Sequence, residues 1–164
     1  MQNGKIIPSE KTDKINDEAV KLCNNRSNLE KGDVLFSGTG TIGKTAVLFE
    51  EPTNWNINES VYAIKPNQKY IMPEFLHYIL MTGRIREEYM KKISGGTVKS
   101  ISLKKMRTLL IPLPDLKKQA DLIKVIEKFD HLCNDISEGL PAEIAARQKQ
   151  YEYYRDKLLN FKEK

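Results

Sequence analysis

The sequence predicts an α+β fold, with a small mixed domain over 1–114 followed by long helices over 115–164 that form a coiled-coil or helical spacer. Three observations carry this. Short β-branched and aromatic runs, punctuated by glycine and proline, alternate irregularly with amphipathic stretches and show no βαβ rhythm. After Pro114 the apolar residues fall into heptad spacing. Charge changes at the same point. Residues 115–164 hold ten Lys/Arg and ten Asp/Glu, so the whole net charge of +5 belongs to 1–114, with 17 basic against 12 acidic residues. A basic globular part before a neutral tail points to a polyanion for the first and protein for the second. A solvated surface of mixed charge is the plainer alternative.

Residues 1–31 are polar and irregular, with a short helix expected from Ile15 to Cys23 and Asp17-Glu18 in its first turn. A hairpin is expected over roughly 33–50, as two β-rich runs flank a glycine-rich turn. Ser60 to Ile64 reads as a strand ended by Pro66-Asn67. Pro73 suits a helix's first turn, and Phe75, Leu76, Ile79 and Leu80 mark that helix's apolar face. Gly83 interrupts it before Ile85 to Ile93 continues. Ser94 to Thr97 is a flexible turn, Ser102 an N-cap for a short helix over Leu103 to Arg107, and Leu109 to Ile111 a further strand closed by Pro112 and Pro114.

Gly38-Thr39-Gly40-Thr41-Ile42-Gly43-Lys44-Thr45 satisfies the phosphate-loop pattern G-x-x-x-x-G-K-[ST]. That motif needs a strand before it and a long helix after it, whose free N–H groups hold a phosphate. Here the run Thr45 to Phe49 is β-branched and aromatic, and Pro52 stops it. No hydrophobic strand ending in Asp follows to hold magnesium; Leu109 to Asp115 is broken by two prolines. A nucleoside triphosphatase therefore ranks last among the readings.

In the tail, Leu122, Ile126, Phe129, Cys133, Ile136 and Leu140 form one seam, and Tyr151, Tyr154, Leu158 and Phe161 a second. Gly139-Leu140-Pro141 between them is a kink, a hinge or a tight loop. A helical hairpin packed on its own domain would cover these seams. A seam of three aromatics plus leucine on a neutral tail has little domain left to bury it, which favours a partner's helices. No apolar run approaches the ~20 residues of a membrane span, and no apolar stretch follows Met1 to Lys5 as in a signal peptide. Cys23 and Cys133 have neither disulfide-framework nor metal spacing and read as reduced thiols of a cytoplasmic protein. His77 and His131 stand apart from other ligands and read as structural, so no metal site is expected.

Three stretches resemble one family. Leu29 to Ser37 running into Gly40 to Lys44 resembles the hairpin of the target-recognition domain in specificity subunits of type I restriction–modification systems. Ile111-Pro112-Leu113-Pro114-Asp115-Leu116-Lys117-Lys118-Gln119 is similar to the opening of that family's conserved helical region, and Gly139 to Ile144 through Gln150 to Leu159 to its distal part. The resemblance covers about residues 29–161. It implies a non-catalytic subunit that reads double-stranded DNA. Members carry two recognition domains, each followed by a helical segment; the helices pack antiparallel, set the spacing of a bipartite target and dock methyltransferase subunits, to which a restriction subunit can add. S-adenosylmethionine, ATP and magnesium would belong to those partners, and no cofactor is expected here. This chain departs from the family in having one domain and one helical segment, and a hairpin that begins about thirty residues in. The first departure suggests a half-subunit that forms a homodimer or pairs with another half; the second, a truncated or recombining cassette with shortened first strands.

A DNA reader needs phosphate anchors and side chains that reach base edges. The candidates are Lys44, Lys65, Arg84, Arg86, Lys91, Lys92, Lys99, Lys104 and Lys105 for phosphate, and Thr39, Thr41, Asn54, Asn56 and Thr97 in polar loops. About half of these lysines would be ordinary solvated residues, given how commonly Lys is exposed. Trp55 reads as core rather than base contact. The leading function is a DNA-specificity subunit, followed by an interaction module that dimerises or docks through its helices alone, and last a phosphate-loop nucleoside triphosphatase.

Overall fold

The computed structural model describes residue 6 and residues 15–53, 55–135 and 141–161, with the side chains of 132–135 and 141–144 left aside. Asn54, Ile136, Gly139 and Leu140 lie outside the described residues, as does the side chain of Cys133. The chain runs α1 (Asp17–Arg26), β1 (Val34–Ser37), β2 (Thr45–Val47), β3 (Val61–Ile64), α2 (Pro73–Met81), α3 (Gly83–Lys91), α4 (Leu103–Met106), α5 (Leu116–Asp135) and α6 (Pro141–Leu158). The α+β expectation holds, with short strands and long C-terminal helices.

The three strands form one antiparallel sheet in the order β2-β1-β3. The β1–β2 pair is the predicted hairpin, with Val34 opposite Val47 and Phe36 opposite Thr45. Central β1 is buried on both sides, and its alternation sorts two clusters. Val34 and Phe36 face α2, where Phe75, Leu76, Ile79 and Leu80 form the expected apolar stripe. Leu35 faces the other way, against Leu29, Leu48 and Ile57 with Trp55 at the margin, so Trp55 is partly core. Behind that smaller cluster, α1 begins two residues later than expected, with Asn16 as its N-cap. Pro73 opens α2 in its first turn, Thr82 and Gly83 divide α2 from α3, and the Ser102 hydroxyl accepts from the Lys105 N–H at 3.4 Å as the cap of α4.

Leu109 to Ile111 is not a strand. A strand needs a neighbour, and β3's free edge does not recruit this segment, since Pro112 and Pro114 can donate nothing to a ladder. It crosses the domain as extended chain, with Leu109 and Ile111 packed inward and Leu110 90% exposed.

The helical tail returns to the domain. The Phe129 ring of α5 stacks on Tyr154 of α6, centroids 5.6 Å apart and planes 8° apart. In one continuous helix, 25 residues of separation would hold those rings about 37 Å apart. α6 therefore folds back along α5 as a helical hairpin, while Gly139 and Leu140 themselves lie outside the described residues. Contrary to expectation, this domain has surface enough to bury the second seam. Leu122, Ile126 and Tyr151 lie in the main cluster, Leu158 and Phe161 pack against it, and Phe161 meets Phe75 edge-on at 6.5 Å. Tyr154 alone of the second seam stays exposed at its rim.

Two polar locks fix this arm. Asp115 caps α5, its carboxylate accepting from the Lys118 N–H at 2.8 Å. One turn on, fully buried Gln119 accepts from the Met72 N–H at 2.8 Å and donates to the carbonyls of Tyr70 and Pro114, each at 2.7 Å. At the far end, Asp156 accepts from the Gly83 N–H at 3.0 Å and so caps α3, while Arg84 donates to the Phe161 carbonyl at 3.0 Å. Buried Arg155 holds the same carboxylate at 2.9 Å and lies over the Tyr151 ring.

Gln119→Leu keeps the volume but strands the Met72 N–H and two carbonyls away from water. We expect a loss of about 3 kcal/mol or more in stability, at roughly 1–3 kcal/mol for an unsatisfied buried group. Denaturant unfolding followed by circular dichroism measures it.

Candidate nucleic-acid interface

The phosphate-loop string is the β1–β2 turn, and its backbone is already engaged. The Gly43 N–H donates to the Ser37 carbonyl at 2.9 Å, Ile42 to Gly40 at 3.0 Å, Gly40 to Lys99 at 3.1 Å and Gly38 to Ser60 at 2.8 Å. The Ser37 hydroxyl adds a bond to the Thr41 carbonyl at 2.6 Å. Gly43 has φ +92°, and a Cβ there would strike the Tyr89 hydroxyl. Tyr89 is buried beneath the turn, edge-on to Phe36 at 5.4 Å. Thr45, which in a nucleotide site would face magnesium, is buried with its hydroxyl 2.8 Å from His77 Nδ1. A strand follows instead of a helix. Four of the turn's N–H groups are thus bonded within the chain, and no helix N-terminus follows to supply the dipole a phosphate loop uses.

What the turn does is gather a second loop. Thr39 bridges Ser100, the Ile101 N–H donates to the Gly38 carbonyl at 2.9 Å, and Ser94 and Ser100 exchange two bonds of 2.9 Å. The Tyr62 hydroxyl, from β3, donates to the Ile101 carbonyl at 2.7 Å. The loops carrying Thr39, Thr41, Lys44, Thr97 and Lys99 are thus joined at one end of the sheet. Lys92 precedes the second loop and Lys104 follows it on α4. A cleft beside the turn brings Lys44 and Arg86 together with Arg155, Glu152 and Asp156 of the helical arm. Tyr62 and Ser100 escaped the sequence reading; nothing in their local pattern announces that one supports the loop and the other splices it to the turn.

Four candidates sit elsewhere or are already engaged. Lys65 lies beyond the opposite end of β1, where its ammonium pairs with the buried carboxylate of Asp33 at 3.1 Å and with Glu30 at 3.2 Å. Those partners raise its pKa against a lowering by burial. Its role is to neutralise Asp33, which in turn accepts from the Glu30 N–H at 3.0 Å. Asn56 ties the end of α1 to the domain, accepting from the Ser27 hydroxyl and donating to Asn24. Arg84 serves the α3–tail junction. Lys91 forms an exposed pair with Glu88 at 3.0 Å, which raises its own pKa and lowers that of Glu88.

The small α+β domain thus presents a pinned turn-and-loop edge with basic side chains at its rim and carries a helical hairpin packed against it. Comparison with known proteins gives the family: the model for the type I restriction modification DNA specificity domain matches residues 2–146, and the chain belongs to that family. It is similar to the specificity subunit of a type I restriction enzyme of Escherichia coli, 41% identical over 105 residues, covering 64% of this chain and 26% of that protein. The MpnII specificity subunit of Mycoplasma pneumoniae is 30% identical over 121 residues, 74% of this chain and 36% of that one. The chain thus spans about a quarter to a third of the length of these relatives. Among solved structures, the HsdS subunit of Thermoanaerobacter tengcongensis shares the fold, with a TM-score of 0.53 at 21% identity over 67% of this chain and 28% of that one. Among the described residues, no helix is long and apolar enough to cross a membrane.

Two measurements follow from this geometry. Titration calorimetry with Mg-ATP should give no binding heat, for the chain as it stands or for Lys44→Ala. Burial pushes the His77 pKa down from 6.5 to about 4, with nearby Arg155 adding to the shift. The unfolded chain therefore takes up this proton first, and stability present above pH 6.5 is lost as pH falls toward 4. From pH 7 to pH 5 this one group should remove about 2 kcal/mol of unfolding free energy, at 1.36 kcal/mol for each pH unit of difference. His77→Gln should flatten that part of the pH profile.

Proposed function

We propose that this chain is the non-catalytic DNA-reading component of a type I restriction–modification complex, and that it reads one half of a bipartite double-stranded target. The observation that carries this is the family match over residues 2–146 combined with the joined 38–44 turn and 94–101 loop, rimmed by Lys44, Lys92, Lys99 and Lys104. The lysines suit phosphate, and the exposed Thr41 and Thr97 suit base edges. The α5–α6 hairpin supplies the docking surface for a methyltransferase subunit, with a restriction subunit adding to that complex. A second specificity half, identical or different, completes the bipartite site. S-adenosylmethionine, ATP and magnesium act on those partners, in the cytoplasm.

The chain mixed with its cognate methyltransferase should form a complex and direct methylation to one sequence. Its DNA affinity should fall steeply with salt, and Lys99→Ala with Lys104→Ala should reduce the log–log slope by about two, at roughly one counterion for each phosphate contact. A complex that forms but shows no DNA shift at low salt would instead mark an interaction module. With neither complex nor selective methylation, the proposal fails.

A further inference from the structure

The 94–100 loop presents one side chain whose chemistry neither folding nor phosphate binding uses. Val98 is 63% exposed in a stretch otherwise made of Ser, Gly, Thr and Lys. The loop beneath it is held by main-chain bonds: Ser94 and Ser100 pair twice, and Lys99 is tied to Gly40 of the turn. Gly95 has φ +114°, and a Cβ there would collide with the Val98 carbonyl, so the backbone that carries Val98 leaves no room for another residue at 95. Val98 is β-branched and stiff about its single side-chain torsion, so little rotamer freedom is lost on contact. Leu103, the next exposed apolar residue in sequence, lines a groove with Met106 and Leu109 of its own chain.

We propose, resting on the DNA-reading function above, that Val98 is a specificity-determining residue that contacts a thymine C5-methyl group in the major groove. Among the base edges of that groove the thymine methyl is the apolar feature, and small apolar side chains read it. Lys99 beside Val98 and Lys104 on α4 would hold the flanking phosphates and set the depth of approach. A loop pinned by main-chain bonds thus offers an isopropyl group next in sequence to the Lys99 cation.

The test uses the full chain in complex with its methyltransferase subunit. Its preferred duplex is selected from a randomised pool, and each thymine of that duplex is replaced in turn by deoxyuracil, which lacks only the methyl group. At one position the affinity should fall about fourfold, the value of burying one methyl group. The Val98→Ser variant should bind the methylated and unmethylated bases at that position equally, and should match the parent's affinity for the deoxyuracil duplex within about twofold. A selected site that tolerates deoxyuracil at every thymine, or contains none, overturns the Val98 assignment and leaves the DNA-reading function standing. So does a Val98→Ser variant that keeps the discrimination. A complex that selects no sequence at all overturns both.

Discussion

The buried amide of Gln119 is the constraint on which the placement of the helical arm depends. It satisfies the Met72 N–H, which α2 leaves free at its first turn, and two carbonyls that have no ladder to join, Tyr70 in the turn before α2 and Pro114 in the extended segment before α5. A carboxylate could accept from Met72 but not donate to Tyr70 and Pro114; a lysine could donate but not accept. Only a primary amide of this length offers both from the first turn of α5. The prolines upstream follow from the same need, since they keep Ile111 to Pro114 extended and deliver its last carbonyl to Gln119.

From that anchor the arm runs out along α5, returns along α6 and is locked again. Thr82 spends its hydroxyl on the Ile79 carbonyl at 2.7 Å and cannot cap α3. Asp156 reaches across from α6 and supplies the missing acceptor, next to the positive end of the α3 dipole. α3 then carries Tyr89, which props the turn at Gly43. A continuous path of packed and hydrogen-bonded groups thus joins the arm to the turn-and-loop edge. An arm fixed at two points holds that edge at a set orientation, and the cost of ordering is met in folding rather than at each encounter with a ligand.

Local features of this fold were legible in the sequence, and features that depend on distant partners were not. The β1–β2 hairpin, Pro73 at the start of α2 and the Ser102 cap each rest on residues within a few positions of one another, and each stands where the pattern put it. Leu109 to Ile111 has strand composition, yet being a strand requires a neighbour that composition does not supply. The aromatic stripe on α6 was plain, while the surface that covers it comes from α2, some seventy residues earlier. Lys65 was recognisable as a cation; Asp33, 32 positions away, decides what it does. The motif letters at Gln119, Arg155 and Asp156 were visible as a family signature before their shared task, docking the arm, could be seen.

The phosphate-loop string shows why a pattern and its chemistry can part company. In a nucleotide site the glycines leave backbone N–H groups free for phosphate. In this turn the same permissive residues fold the chain tightly enough that those groups bond to Ser37, Gly40, Ser60 and Lys99. Two of these bonds and the Thr39–Ser100 bridge tie the turn to neighbouring segments. Because its conformation rests on main-chain bonds and on Gly43, the exposed side chains of Thr41 and Lys44 are free of structural duty, as are Thr97 and Val98 on the adjoining loop. Exchanging those side chains would leave the backbone beneath them, and the arm behind it, in place, which is what the proposed DNA-reading role asks of such an edge.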